Sequence, residues 1–289
     1  MLRASSPATK PFEQPMTWDQ LGSVTREAST TMTVSGTVSK TFINLAFACT
    51  GALVIWSLMS RQIISPSLGL PMGLGLIALS WIGTMVINRN PKTAMYLGPA
   101  LSVGEGAWAA FISYLIAGAV GAKILANPSL VGHEGPFLDT ANMTAQQAAV
   151  AAGSGIIFQA MLLTFGVVGA LALATGTGIL RVGGTAAKVI TGVTGAIMFV
   201  YLASWALRIF GISMPYIHGT GIVGIGFSIF VVIVATLNVA MVMSSVLTGV
   251  ENKYPKVYEW VAGHAIIATV IWLYIEIVIL LYKLIGRRD

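Results

Sequence analysis

Three ionisable side chains stand where the sequence is otherwise continuously apolar: Glu105, His264 and Glu276. At membrane depth the charged form of such a group is costly unless it is paired or wetted, so each is a candidate for proton exchange or cation binding. Two amides join them, Gln159 and Asn238. Either could line a polar path, or tie two helices with a hydrogen bond of about 1 kcal/mol. These five residues are the candidate ion-pathway and pH-sensing set. His264 and Glu276 share one segment, Tyr258 to Lys283, but do not form a pair. Twelve positions separate them, about 18 Å along a helix and about a third of a turn out of phase.

The other arrangements that carry chemistry are missing or fail. No Ser/His/Asp set and no metal-ligand cluster can be read, so no enzyme activity, cofactor or metal is expected. Gly219 to Gly224 spells a dinucleotide fingerprint, but no strand precedes it and a membrane helix follows, where close helix packing explains the glycines better. A retinal Schiff base would need a lysine deep in the last helix, and Lys283 stands at its end. The single cysteine, Cys49, excludes a disulfide framework and reads as a small buried hydrophobe.

The elements that must position these residues are membrane helices. Of 289 residues, 56% are hydrophobic and 9% charged, too few polar groups to cover a soluble globule, and many of the 32 glycines interrupt apolar runs. The net charge of +6 is spread one or two residues per loop, which sets membrane orientation rather than forming a nucleic-acid surface.

About 20 apolar residues cross a bilayer, and the uncharged intervals hold seven such spans: 42–60, 68–87, 97–122, 148–175, 187–208, 219–247 and 259–283. Residues 1–41 read as a polar, largely disordered cytoplasmic arm with a short ordered piece before the membrane, and 42–289 as the membrane domain. The long connection from Lys123 to Gln147, containing HEGPFLDT, reads as a solvated loop, with a lid as the alternative. With the N-terminus inside, each inner connection carries two basic residues and each outer loop one, whereas Lys283, Arg287 and Arg288 break the pattern at the C-terminus. A re-entrant last segment would return that tail to the cytoplasm. An acid and a histidine in the last segment place it inside a bundle, with the other helices around it.

Several stretches in order resemble the Bax inhibitor-1 family, in its bacterial branch with a polar N-terminal arm. They are TMTVSGTVSKT (Thr31–Thr41), GEGAWAAFIS (Gly104–Ser113), GIIFQAMLLTFGV (Gly155–Val167) with GILRV (Gly178–Val182), and EWVAGHAIIATVIWLYIEI (Glu259–Ile277). The resemblance runs from about residue 31 to the end. It implies an all-α integral membrane protein of the bacterial cytoplasmic (inner) membrane, with six helices surrounding a central C-terminal seventh. It also implies a pH-sensitive calcium leak, gated by buried carboxylates on the last two helices, with Ca2+ or H+ as the ion. Some relatives are tied instead to stress survival or to restraint of a membrane protease.

The sequence departs from that pattern at the acids. The branch has an LDFDFIE-like stretch after the Leu-Asn of the sixth helix, but here Leu237-Asn238 is followed by VAMVMSSVLTG, with Val242, Ser244 and Leu247 in the acid positions. WLYIEIVI keeps Glu276 and puts Ile279 in the usual arginine position. Two functions therefore remain open. One is a leak in which Glu276 titrates among the other four candidates. The other is a non-conducting scaffold or regulator that acts on a membrane-protein partner. In either case the lipid bilayer is the surrounding partner and nucleic acid is not one.

Overall fold

The computed structural model describes residues 30–127, 143–211 and 219–287. Among these, seven helices are long and apolar enough to cross a membrane: α1 (Val34–Ser60), α2 (Gly69–Arg89), α3 (Ala94–Ala126), α4 (Ala145–Gly176), α5 (Gly184–Ile209), α6 (Ile222–Glu251) and α7 (Tyr258–Gly286). Helix is the required solution, because an apolar segment in lipid must satisfy its backbone groups within itself. The loop from Lys123 to Gln147 is shortened at both ends by α3 and α4, and its HEGPFLDT stretch lies outside the described residues.

Two helices start ahead of their apolar intervals behind polar caps. α1 begins at Val34, inside the stretch assigned to the arm, because Thr33 is its N-cap and accepts a hydrogen bond from the Gly36 N–H. α4 begins at Ala145 behind a capping box of Thr144 and Gln147. Just ahead of α1 the chain is ordered: Thr31 bridges Pro255 in antiparallel fashion, and the Met32 N–H donates to the Tyr254 carbonyl at 2.7 Å. This fixes the start of α1 beside the α6–α7 turn. α7 then runs unbroken to the opposite end of the bundle, so it is a full crossing and not a re-entrant hairpin.

α7 is the central helix. None of its residues from Tyr258 to Lys283 is exposed, whereas each of the other six presents exposed large hydrophobics, such as Leu53, Trp81, Tyr96, Phe158, Phe199 and Ile222. α1, α3, α4 and α6 pack directly along it. The ring is uneven, since α2 docks on α3 and α5 on α6. The main core joins Met59, Phe111, Tyr114, Ile157, Val239 and Leu273 from α1, α3, α4, α6 and α7.

Glycine sets the tightest crossings. A Cβ on Gly121 would strike the Ala149 carbonyl, and one on Gly153 the Ala117 carbonyl, so α3 and α4 touch backbone to backbone. Gly51 and Gly106 do the same for α1 and α3. This is how membrane helices associate when lipid removes the hydrophobic driving force between them.

Candidate functional site

The five candidates do not form one site. Glu276 lies on α7 with 2% of its surface exposed, and its carboxylate is hydrogen-bonded within the protein. Tyr201 Oη, from α5, donates to Oε1 at 3.0 Å and Oε2 at 3.1 Å, and Trp272 Nε1, one turn back on α7, donates to Oε1 at 3.1 Å. The Trp272 ring packs against Ile197, Val231 and Val234, which closes the contact with apolar side chains of α5 and α6. The result is a packed polar tie between α5 and α7, in which the one Tyr201 O–H is shared between the two oxygens.

Sequence reasoning missed a second buried polar tie on the same helix. Lys283, read as a residue at the helix end, is 4% exposed. Its Nζ donates to the Gly224 carbonyl at 3.0 Å and to Ser228 Oγ at 2.8 Å, both on α6. Seven positions past Glu276, it stands on the same face of α7, about 10 Å along the axis. That spacing was the available signal. Lys283 also sets the register of the antiparallel α6–α7 pair, because Ser228 is level with it. Ser244 lies 16 positions further along α6, about 24 Å, so it is level with the Ile267 region of α7 and about 14 Å from the depth of Glu276. Ser244 accepts from the Val182 N–H at 2.9 Å and donates to the Ala240 carbonyl at 2.8 Å, fastening the α4–α5 turn to α6.

Glu105 and His264, on α3 and α7, are brought together instead. His264 Nε2 is 3.8 Å from Glu105 Oε1, and Ser80 Oγ on α2 donates to that same oxygen at 2.8 Å. Close by, Asn44 of α1 accepts from Ser102 Oγ at 3.2 Å and donates to the Lys40 carbonyl at 2.8 Å. Asn44 and His264 flank Gly98, whose added Cβ would lie 3.3 Å from Asn44 Oδ1 and 3.4 Å from His264 Cβ.

Asn238 is helix glue. Its Nδ2 donates to Thr194 Oγ1 on α5 at 2.7 Å and to the Val234 carbonyl at 2.9 Å. Asn238→Leu should cost about 1 kcal/mol, as interhelical hydrogen bonds do in bilayers, read as a small fall in thermal stability in detergent without loss of folded yield. Gln159 corrects the reading of it as part of a polar path or a tie between helices of the bundle: it is exposed on α4, beside exposed Phe158, Leu162 and Leu163. Cys49 is likewise exposed, on the outer face of α1. In both cases the helix is apolar all round, so its sequence does not mark which face turns inward.

A second buried acid was not among the candidates. Glu259, in the first turn of α7, is 0% exposed. Its Oε1 accepts from the Thr33 N–H at 3.1 Å and Thr33 Oγ1 at 2.9 Å, at the positive end of α1. Gly36 leaves the room for it, because an added Cβ would meet the Glu259 carboxylate and push it aside. Among the described residues no group of three or more His, Cys, Asp or Glu gathers.

No curated protein and no solved structure matches the chain. The family model described as Bax inhibitor 1 like matches residues 10–286. With nearly the whole sequence covered and a seven-helix membrane bundle beneath it, the chain belongs to the Bax inhibitor 1-like family.

Proposed function

We propose that this family member is a non-conducting protein of the bacterial cytoplasmic membrane, with its polar arm on the cytoplasmic side. It acts through contact with another membrane protein, such as a protease or a stress-response component. The observation that carries this reading is the closed contact around Glu276. A carboxylate that is nearly fully buried, held by Tyr201 and Trp272 and walled by apolar side chains, is tied to the protein and away from water. Passing a cation would require breaking those bonds and hydrating a packed region. The acid positions of α6 support the same reading, since Ser244 serves there as a loop fastener.

Purified protein in proteoliposomes is expected to give no saturable Ca2+ uptake above empty vesicles from pH 5 to pH 8, with Glu276→Gln indistinguishable from wild type. Saturable, pH-dependent uptake abolished by Glu276→Gln would overturn the proposal.

One observation favours a second reading, a pH-sensitive leak for Ca2+ or H+. Among the described residues the Glu105–His264 contact contains polar atoms without hydrogen-bond partners, as a site on a cation or proton path would. In that case flux would respond to Glu105→Gln and not to Glu276→Gln.

A further inference from the structure

Gln159 places an amide where lipid cannot bond it. It stands near the middle of the 32-residue α4, about 20 Å or more from either end, and the hydrocarbon core is about 30 Å thick in all. The side chain is exposed on the outer face, and among the described residues no protein group hydrogen-bonds it. An amide carried into hydrocarbon without a hydrogen-bond partner is strongly disfavoured, so the site calls for one from outside the bundle.

The amide belongs to a seam. Gly155, Gln159, Leu162, Gly166, Gly169 and Leu173 are all exposed and follow one another by four, three, four, three and four residues. That is the heptad spacing by which two helices pack at a shallow crossing angle over a long contact. The row extends about 27 Å, nearly the thickness of the hydrocarbon core. It lies on the side of α4 opposite Gly153, Ala160 and Thr164, which are buried against the bundle. At the tight crossings inside the bundle, a Cβ on Gly121 or Gly153 strikes a neighbouring backbone, whereas one on Gly155, Gly166 or Gly169 meets nothing within 4 Å. Glycines let membrane helices approach closely, and an amide between them supplies the interhelical hydrogen bond. α5 also turns Gly192 and Gly195 outward, but it contains no amide side chain.

We propose that this face of α4 is a homodimer interface, in which α4 packs along α4 of a second copy and the two Gln159 amides bond each other. Symmetry selects a second copy as the occupant. Two copies inserted with the same topology are related by a twofold axis along the membrane normal, which sets each residue of the seam against itself at equal depth. A side-chain amide is its own complement there: its N–H donates to the partner's Gln159 Oε1, and its own Oε1 accepts in return. Both amides are then satisfied in the middle of the bilayer. The interface points away from α7, so it is compatible with either function proposed above and depends on neither.

The test uses full-length protein labelled at the N-terminus with donor or acceptor dye, mixed and reconstituted in liposomes. Energy transfer should rise to saturation as the protein-to-lipid ratio increases, and unlabelled protein should compete it away. Gln159→Leu should weaken association about tenfold, and Gly166→Ile should abolish it. Both positions are exposed in the single chain, so the variants should keep wild-type folded yield. In a Cys49→Ala background, Leu173→Cys should form an oxidised dimer in the membrane, and Leu53→Cys, exposed on α1, should not. Transfer no greater than random collision gives, or a dimer that survives either α4 substitution unchanged, overturns the proposal. A seam that serves a different membrane protein would give the first of those results.

Discussion

Glu276→Ala is expected to lower stability by about 2–4 kcal/mol, from two partly buried donors left without an acceptor at the lower end of about 1–3 kcal/mol each. The donors are Tyr201 Oη and Trp272 Nε1, and in the protein they have one carboxylate between them. The loss should fall on the attachment of α5, which otherwise docks on α6. Limited proteolysis should therefore open the α4–α5 and α5–α6 connections first. Tyr201→Phe removes one donor and keeps the ring packing with Phe227, so its effect should be smaller and of the same sign. The measurement is thermal unfolding of purified protein in one detergent, with the three proteins side by side. A Glu276→Ala variant as stable as wild type would show that the carboxylate is not a structural tie.

Gly153→Leu is expected to be at least as damaging, on the order of 4–5 kcal/mol, because the obstruction is backbone and cannot rotate away. A side chain at Gly153 meets the Ala117 carbonyl and lies 2.8 Å from the Gly121 nitrogen, so α4 must lift from α3. Since α3 also carries Glu105, the displacement would reach the Glu105–His264 contact. Gly155, two residues along the same helix, has nothing within 4 Å of an added Cβ. Gly155→Leu should fold as wild type does. Monodisperse yield on size exclusion separates the two, and equal behaviour would contradict the close crossing.

These two residues also mark what could be read in the sequence and what could not. The apolar runs gave the number and order of the helices, because the cost of unsatisfied backbone in lipid leaves one solution for each run. The central place of Tyr258–Lys283 followed from charge, since an acid and a histidine are cheaper inside a bundle than against lipid. Contacts across helices were not legible. Glu105 and His264 are 159 positions apart, and nothing local predicts that α3 and α7 bring them to 3.8 Å. Glu276 was visible as a buried acid, but Tyr201, which satisfies it from α5, is an ordinary aromatic in an apolar run. Gln159 was misplaced because α4 is apolar on every side, so the helical period that would orient it is absent. Lys283 was legible in principle, as the residue seven positions past Glu276, but its place at the helix end concealed its burial.

Whether the Glu276 carboxylate is closed off from water is read by carboxyl labelling of the wild-type protein. Native proteoliposomes are treated with a water-soluble carbodiimide and an amine, and the modified sites are quantified by mass spectrometry. Glu251, 53% exposed at the end of α6, serves as the internal standard for a reachable acid. Glu251 should be modified while Glu276 stays untouched until the protein is unfolded. Modification of Glu276 in the native bundle at a rate near that of Glu251 would contradict it.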